Sequence, residues 1–235
     1  MDVIIGKNPV LEGLKGSLHI NKVSFQKDVN RKDMKEIILL CEEKKIPYTW
    51  VERAKLDELG KAHQGVVAFL SSVDYVSLYS LLHKDGLILA LDSITDTHNL
   101  GAIIRSAYGF GAQGLVLPKR RSASLDATSF KVSAGAAAHL PIARVANLSD
   151  TIEEFKKKGF WVYGAEADGS QELSQINFPK KTLLILGSED KGISRLIKEN
   201  CDGLFNIPMA DFDSLNVSVA SGIACYSYFL QHREG

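Results

Sequence analysis

From residue 86 onward the chain carries a series of short, mainly apolar runs with no regular alternation of polar residues, and this pattern constrains the fold most. The runs are Leu87-Ile88-Leu89-Ala90-Leu91, Leu115-Val116-Leu117, Leu140 to Val145, Trp161 to Gly164, Leu183 to Leu186 and Leu204 to Pro208. A strand with one face in water alternates apolar and polar residues, whereas a strand apolar throughout is buried on both faces. Helical or loop segments separate the runs. The sequence therefore predicts an α/β domain, a parallel sheet flanked by helices. Ligands on such sheets bind beyond the carboxyl ends of the strands.

The preceding residues read as a smaller α/β unit. Asn8-Pro9 starts a helix, Leu18 to Phe25 is a strand, and Arg31 to Lys45 is a helix with Met34, Ile37, Ile38 and Cys41 at helical spacing. Tyr48 to Val51 and Val66 to Leu70 are strands, with a helical turn at Lys55 to Lys61 between them. The stretch after residue 70 is more polar and less regular. The resulting division is a front domain over 1–72, a linker over 73–85 and a main domain over 86–235.

No apolar run approaches the roughly 18 residues of a membrane span, and the first residues do not pattern as a signal peptide. A cytoplasmic protein without a membrane partner is expected. Cys41, Cys201 and Cys225 form no C-x-x-C pair and no zinc pattern, and are expected to be buried or half-buried thiols.

Two glycine patterns are decoys. Gly109 to Gly114 satisfies G-x-G-x-x-G but follows a helix and precedes a strand, the reverse of a dinucleotide site, so it reads as a helix end and turn. Gly187 to Ser194 sits where a phosphate loop would. Ile193, however, replaces the required Lys, and Glu189 and Asp190 would repel a triphosphate. That loop is built for another ligand, unless it is only a turn.

Three segments each run from an apolar strand through a polar loop into a helix: Leu91 to Ala107, Thr182 to Ser194 and Ile207 to Ala220. In the first, Arg105 lies among Ile103, Ile104 and Ala107 on a helix expected to pack on the sheet, so it needs an anion or carbonyl partner or a structural ion pair. His98 reads as solvated. In the third, Ser214 is a natural helix N-cap and Asn216 falls in the first helical turn.

These segments, in order, resemble the three signature motifs of the SpoU/TrmH family of RNA 2′-O-ribose methyltransferases, over nearly all of the chain from Leu87. The front unit resembles the ribosomal-protein-like RNA-binding domain of bacterial members that modify 23S ribosomal RNA guanosine. The resemblance implies a trefoil-knotted α/β domain, although knots are rare exceptions to ordinary chain topology. It implies S-adenosyl-L-methionine as cofactor, held by backbone contacts at Gly187, Ile207, Met209 and Leu215, and a homodimer with active sites at the subunit interface. Carried over motif by motif, Asn99, Arg105, Glu189, Ser214 and Asn216 are the candidate catalytic residues.

A ribose hydroxyl is a very weak acid, so its methylation needs proton removal and close alignment. A guanidinium does not serve readily as the base. The physical reading gives Arg105 the substrate phosphate and the developing alkoxide. Three positions depart from the family pattern: Thr97-His98 replaces the Pro-containing turn before Asn99, and Asp190 and Asp211 stand where Gly is frequent. The two aspartates add negative charge near an RNA site. A transfer-RNA target, or a non-catalytic RNA-binding protein with the same fold, are the alternatives.

The formal charge is zero, which at face value argues against nucleic acid. The distribution reverses that inference. Residues 1–100 carry a net −1, residues 101–145 a net +5 and residues 146–235 a net −4. The basic stretch holds Arg105, Lys119, Arg120, Arg121, Lys131 and Arg144. Arg105, Lys119, Arg120, Arg121 and Lys131 are the candidate RNA contacts, with a solvated loop as the bland account of the Lys-Arg-Arg run.

Overall fold

The structure is a computed structural model, described here over residues 3–15, 20–70, 75–211 and 214–233. The chain divides into two compact units, Met1–Asp74 and Tyr75–Gly235.

In the first unit, strands β1 (Val3–Ile5), β2 (Ile20–Gln26), β3 (Tyr48–Val51) and β4 (Val66–Leu70) form a sheet in the order β1-β4-β2-β3. β4 is antiparallel to both neighbours, while β2 and β3 are parallel. Helices α1 (Lys7–Lys15), α2 (Lys35–Glu43) and α3 (Arg53–Asp57) supply Val10, Leu14, Ile37, Cys41 and Leu56 to a core shared with Val23, Phe25 and Val66. The helix expected over Arg31 to Lys45 is shorter at both ends. Turns occupy 31–34, and Lys45 takes a left-handed φ of 54° that stops the helix. β1 was not foreseen. Residues 18 and 19 of the expected Leu18 to Phe25 strand lie outside the described residues.

The second unit is a seven-stranded, wholly parallel sheet. Its strands are β5 (Leu87–Leu91), β6 (Gly114–Pro118), β7 (Ile142–Val145), β8 (Trp161–Ala165), β9 (Gln171–Glu172), β10 (Thr182–Leu186) and β11 (Gly203–Asn206), in the order β7-β6-β5-β10-β8-β11-β9. Its helices are α4 (Leu78–Leu82), α5 (Thr97–Gly109), α6 (Ala127–Val132), α7 (Leu148–Lys157), α8 (Arg195–Glu199) and α9 (Val217–His232). The predicted cause holds in the middle of the sheet, where every residue of β5 and of β10 is buried; it does not hold in β8, where Trp161 is 53% exposed, or in β11, where only Phe205 is buried, since these strands lie nearer an edge of the sheet. Ile88, Ala90, Leu183 and Ile185 join a core with Ile152, Phe155, Ile193 and Ile197. Leu87, Leu89 and Leu91 turn to the opposite face and are buried as well. Each such side chain contributes about 1.5–3 kcal/mol on burial. The strand order is compatible with the knotted domain that the resemblance implies.

Residues 75–85 differ from the expected linker. Val76 bridges Ala143 beside edge strand β7, and Leu81 and Leu82 are buried. Gly114 admits α4, since a Cβ there would lie 2.5 Å from Leu81 Cδ2. A five-residue helix is too short for its apolar positions to show a period amid polar neighbours. Residues 73 and 74 lie outside the described residues.

Candidate active site

In a parallel sheet every strand ends at the same side, so the loops after β5, β10 and β11 emerge together. These are the loops of the three sequence segments. α5 begins where Asp96 caps it, its carboxylate accepting the His98 N–H at 2.7 Å. This sets Asn99 in the first turn, where Asn99 Nδ2 donates to Glu189 Oε1 at 3.1 Å. Asn216 Nδ2 donates to Asn99 Oδ1 at 3.1 Å and also to Glu189 Oε1. The Val217 N–H points to the same carboxylate oxygen at 3.4 Å. Three residues separated by 90 and 27 positions in the chain thus form one hydrogen-bonded cluster.

Asn216, not Ser214, is the N-cap of α9. Its Oδ1 accepts the Ser218 N–H at 2.9 Å and the Ser218 hydroxyl at 2.5 Å. Asn caps as well as Ser, and with Asn216 as the cap the helix starts at Val217. Ser214 is exposed and faces the cleft. Phe212 and Asp213, between Asp211 and Ser214, lie outside the described residues.

Beside the cluster opens a cleft of about 680 Å³, and Gly187, Glu189, Ile207, Met209, Ser214 and Leu215 all line it. The loop after β10 folds back on itself: Ser188 and Gly192 exchange backbone hydrogen bonds of 3.1 and 2.8 Å. A Cβ on Gly187 would sit 2.0 Å from the Gly192 carbonyl carbon, so only glycine fits there. Sequence reasoning passed over Glu166 and Glu172, which also line the cleft. Neither belongs to a motif; the available signal for Glu166 is its place immediately after an apolar strand.

Arg105 lies on the expected helix, but the desolvation expected of it does not occur. It is exposed and its side chain makes no hydrogen bond or ion pair with a described residue. Ile103, Ile104 and Ala107 are buried while Arg105 turns outward on α5, so its desolvation is not at issue. It does not join the Asn99–Glu189–Asn216 cluster within the chain. Lys119, Arg120, Arg121 and Lys131 are also exposed. Arg144, counted with them in the basic stretch, is spent inward. Its Nη2 donates to the carbonyls of Pro118 and Lys119 at 3.3 and 3.2 Å, and its guanidinium lies 5.4 Å from the centre of the Tyr75 ring. It braces the loop that presents the basic run.

Cys41 and Cys225 are buried and Cys201 half-buried. Burial pushes the Cys41 thiol up to about 11 and the other two up to about 12, so none is a ready nucleophile. Among the described residues no helix is long and apolar enough to cross a membrane.

Comparison with known proteins agrees with this arrangement. Residues 86–226 match the family described as SpoU rRNA Methylase family, and residues 3–76 match the domain described as RNA 2′-O ribose methyltransferase substrate binding. YacO of Bacillus subtilis, named for the TrmH family of tRNA/rRNA methyltransferases, is 39% identical over 236 residues, covering 97% of this chain and 95% of YacO. An AdoMet-bound rRNA methyltransferase from Sinorhizobium meliloti superposes with a TM-score of 0.74 at 23% identity, over 98% of this chain and 87% of that one. The SpoU methyltransferase AviRb from Streptomyces viridochromogenes, in complex with AdoMet, does so with a TM-score of 0.70 at 24% identity, over 99% and 91%. These two likenesses bear on the fold. The family match over more than half the chain and the near full-length relative bear on kinship, and by them this chain belongs to the SpoU/TrmH family of RNA 2′-O-ribose methyltransferases.

Proposed function

We propose that the protein methylates a ribose 2′-hydroxyl in RNA, a guanosine of 23S ribosomal RNA, using S-adenosyl-L-methionine bound in the cleft. The observation that carries this reading is the convergence of Asn99, Glu189 and Asn216 at the cleft lined by the second and third motif loops. The cleft fits the cofactor. Its volume is that of small-molecule sites, roughly 300–1,000 Å³. Gly187, Ile207, Met209 and Leu215 all line it, and the backbone N–H groups of the last three make no hydrogen bond with a described residue. The bound cofactor supplies a sulfonium methyl group. Gly187, Ile207, Met209 and Leu215 would hold it, and its methyl group would be the one offered to the ribose oxygen, with a substrate phosphate taking the hydroxyl proton.

The residues have distinct parts in this. Asn99 and Asn216 hold Glu189 in place, and Ser214 borders the site from the third loop. Arg105 pairs with the substrate phosphate and stabilises the developing alkoxide. Because Arg105 lies outside the cluster of its own chain, a homodimer supplies the complete site. α9 offers the surface: Val219, Ile223, Tyr226 and Leu230, at helical spacing, are 48, 38, 47 and 40% exposed. Lys119, Arg120, Arg121 and Lys131 contact the RNA backbone, and the front unit holds the substrate. The protein works in the cytoplasm.

The test is to incubate the protein with methyl-labelled cofactor and separate transcripts of 23S ribosomal RNA and transfer RNA, then map the label. A guanosine 2′-O-methyl group on the ribosomal transcript is expected. Label confined to transfer RNA would reassign the target. Label on neither, with no cofactor binding in calorimetry, would leave a non-catalytic RNA-binding protein.

A further inference from the structure

The loop after β10 is held by two carboxylates, one just after each strand flanking β10. β10 lies between β5 and β8, and the residue next after each neighbour is acidic: Asp92 after β5 and Glu166 after β8. Asp92 Oδ2 accepts the Ser194 N–H at 2.8 Å, and Glu166 Oε1 accepts the Ile193 N–H. Consecutive amides of one loop are thus tied to opposite neighbouring strands. Both acceptors are secluded: Asp92 is 8% exposed and the Glu166 side chain 7%.

The charge of Glu166 is compensated. Its Oε2 pairs with Lys198 Nζ on α8 at 2.7 Å, and this hydrogen bond raises the Lys198 pKa above its ordinary value. The loop is shaped around the carboxylate. Gly192 has a φ of 63°, and a Cβ there would lie 2.6 Å from Glu166 Oε1. Hydrogen bonds to ionised acceptors are stronger than neutral ones, and removing the acceptor would leave the amide of Ile193, a residue 1% exposed, without a partner.

We propose that Glu166, paired with Lys198, is a positioning residue for cofactor binding: it fixes residues 187–193 in the shape that turns Gly187 and Glu189 toward the cleft, while Asp92 holds the adjacent amide from the other side. This deepens the S-adenosyl-L-methionine reading and rests on it. Glu166 acts through the loop, by removing the ordering that binding would otherwise require. Its effect therefore falls on cofactor affinity.

The experiment compares wild type, Glu166→Ala, Glu166→Gln and Lys198→Met. It reads the cofactor Kd by calorimetry, KM for cofactor and for RNA, kcat, and amide hydrogen exchange over residues 188–194 in cofactor-free protein. Glu166→Ala is expected to raise the cofactor Kd and KM roughly tenfold or more, leave KM for RNA in place and speed exchange at Ile193. Glu166→Gln, which keeps an acceptor for Ile193, should recover most of the affinity, and Lys198→Met should lose part of it. A Glu166→Ala protein with wild-type Kd, or with wild-type exchange at Ile193, overturns the proposal. If that variant does not fold, wild-type Kd in both Glu166→Gln and Lys198→Met overturns it. Failure of the wild type to bind the cofactor would sink the cofactor reading instead, and the exchange data would still judge the clamp.

Discussion

The cleft and the exposed basic side chains between residues 105 and 131 of the second unit are built on opposite terms. Around the cleft, polar side chains are committed to one another or to backbone amides: Asn216 to Asn99 and Glu189, Glu166 to Lys198 and the Ile193 N–H, Asp92 to the Ser194 N–H. By contrast, Arg105, Lys119, Arg120, Arg121 and Lys131 are each exposed, with no hydrogen bond or ion pair from their side chains to a described residue. Arg144 marks the border, being basic in composition yet tied to backbone carbonyls. A site for a small ligand gains from being formed before the ligand arrives. A surface for a long polyanion gains from mobile charges that displace counterions. The two surfaces should therefore respond differently to substitution.

The largest separation is expected at Arg105. Replacing it with Ala should lower single-turnover methylation by roughly 10²-fold or more while the cofactor Kd stays put, because an exposed side chain outside the cleft has no part in forming it. Methylation at the wild-type rate would falsify its role at the reacting oxygen. The converse case is Gly187→Ala. A Cβ meeting the Gly192 backbone at 2.0 Å must displace the loop, so cofactor affinity should fall about tenfold or more in calorimetry while RNA affinity holds. Equal losses in both ligands would erase the distinction between the surfaces. The mildest effect belongs to Arg120→Ala with Arg121→Ala. Each lost phosphate contact should reduce the slope of log affinity against log salt by about 0.7–0.9, with cofactor binding untouched. An unchanged slope would make the Lys119 to Arg121 run an ordinary solvated loop.

Much of this was legible before any coordinates. Six of the seven strands follow from apolar runs that lack alternation, and the cause, burial on both faces, is seen residue by residue in the central strands β5 and β10. The three loops that meet at the site were each marked by a strand, a polar stretch and a helix in succession. Short elements were less legible. β1, β9 and α4 have too few residues to express a period, and α4 lay inside an expected linker. The cap of α9 moved from Ser214 to Asn216 because two good capping residues stood close together and the sequence pattern does not choose between them.

What the sequence determined by itself is the parallel α/β sheet, the family and the residue types gathered at its strand ends, since periodicity and motif order are local properties of the chain. Tertiary structure alone decided which of those residues touch. It joined Asn99, Glu189 and Asn216, turned Arg105 outward, drew Arg144 inward and set Asp92 and Glu166 on consecutive amides of one loop. The reason is that strand order, not sequence order, makes β5, β10 and β8 neighbours, and no local pattern in the chain encodes that order.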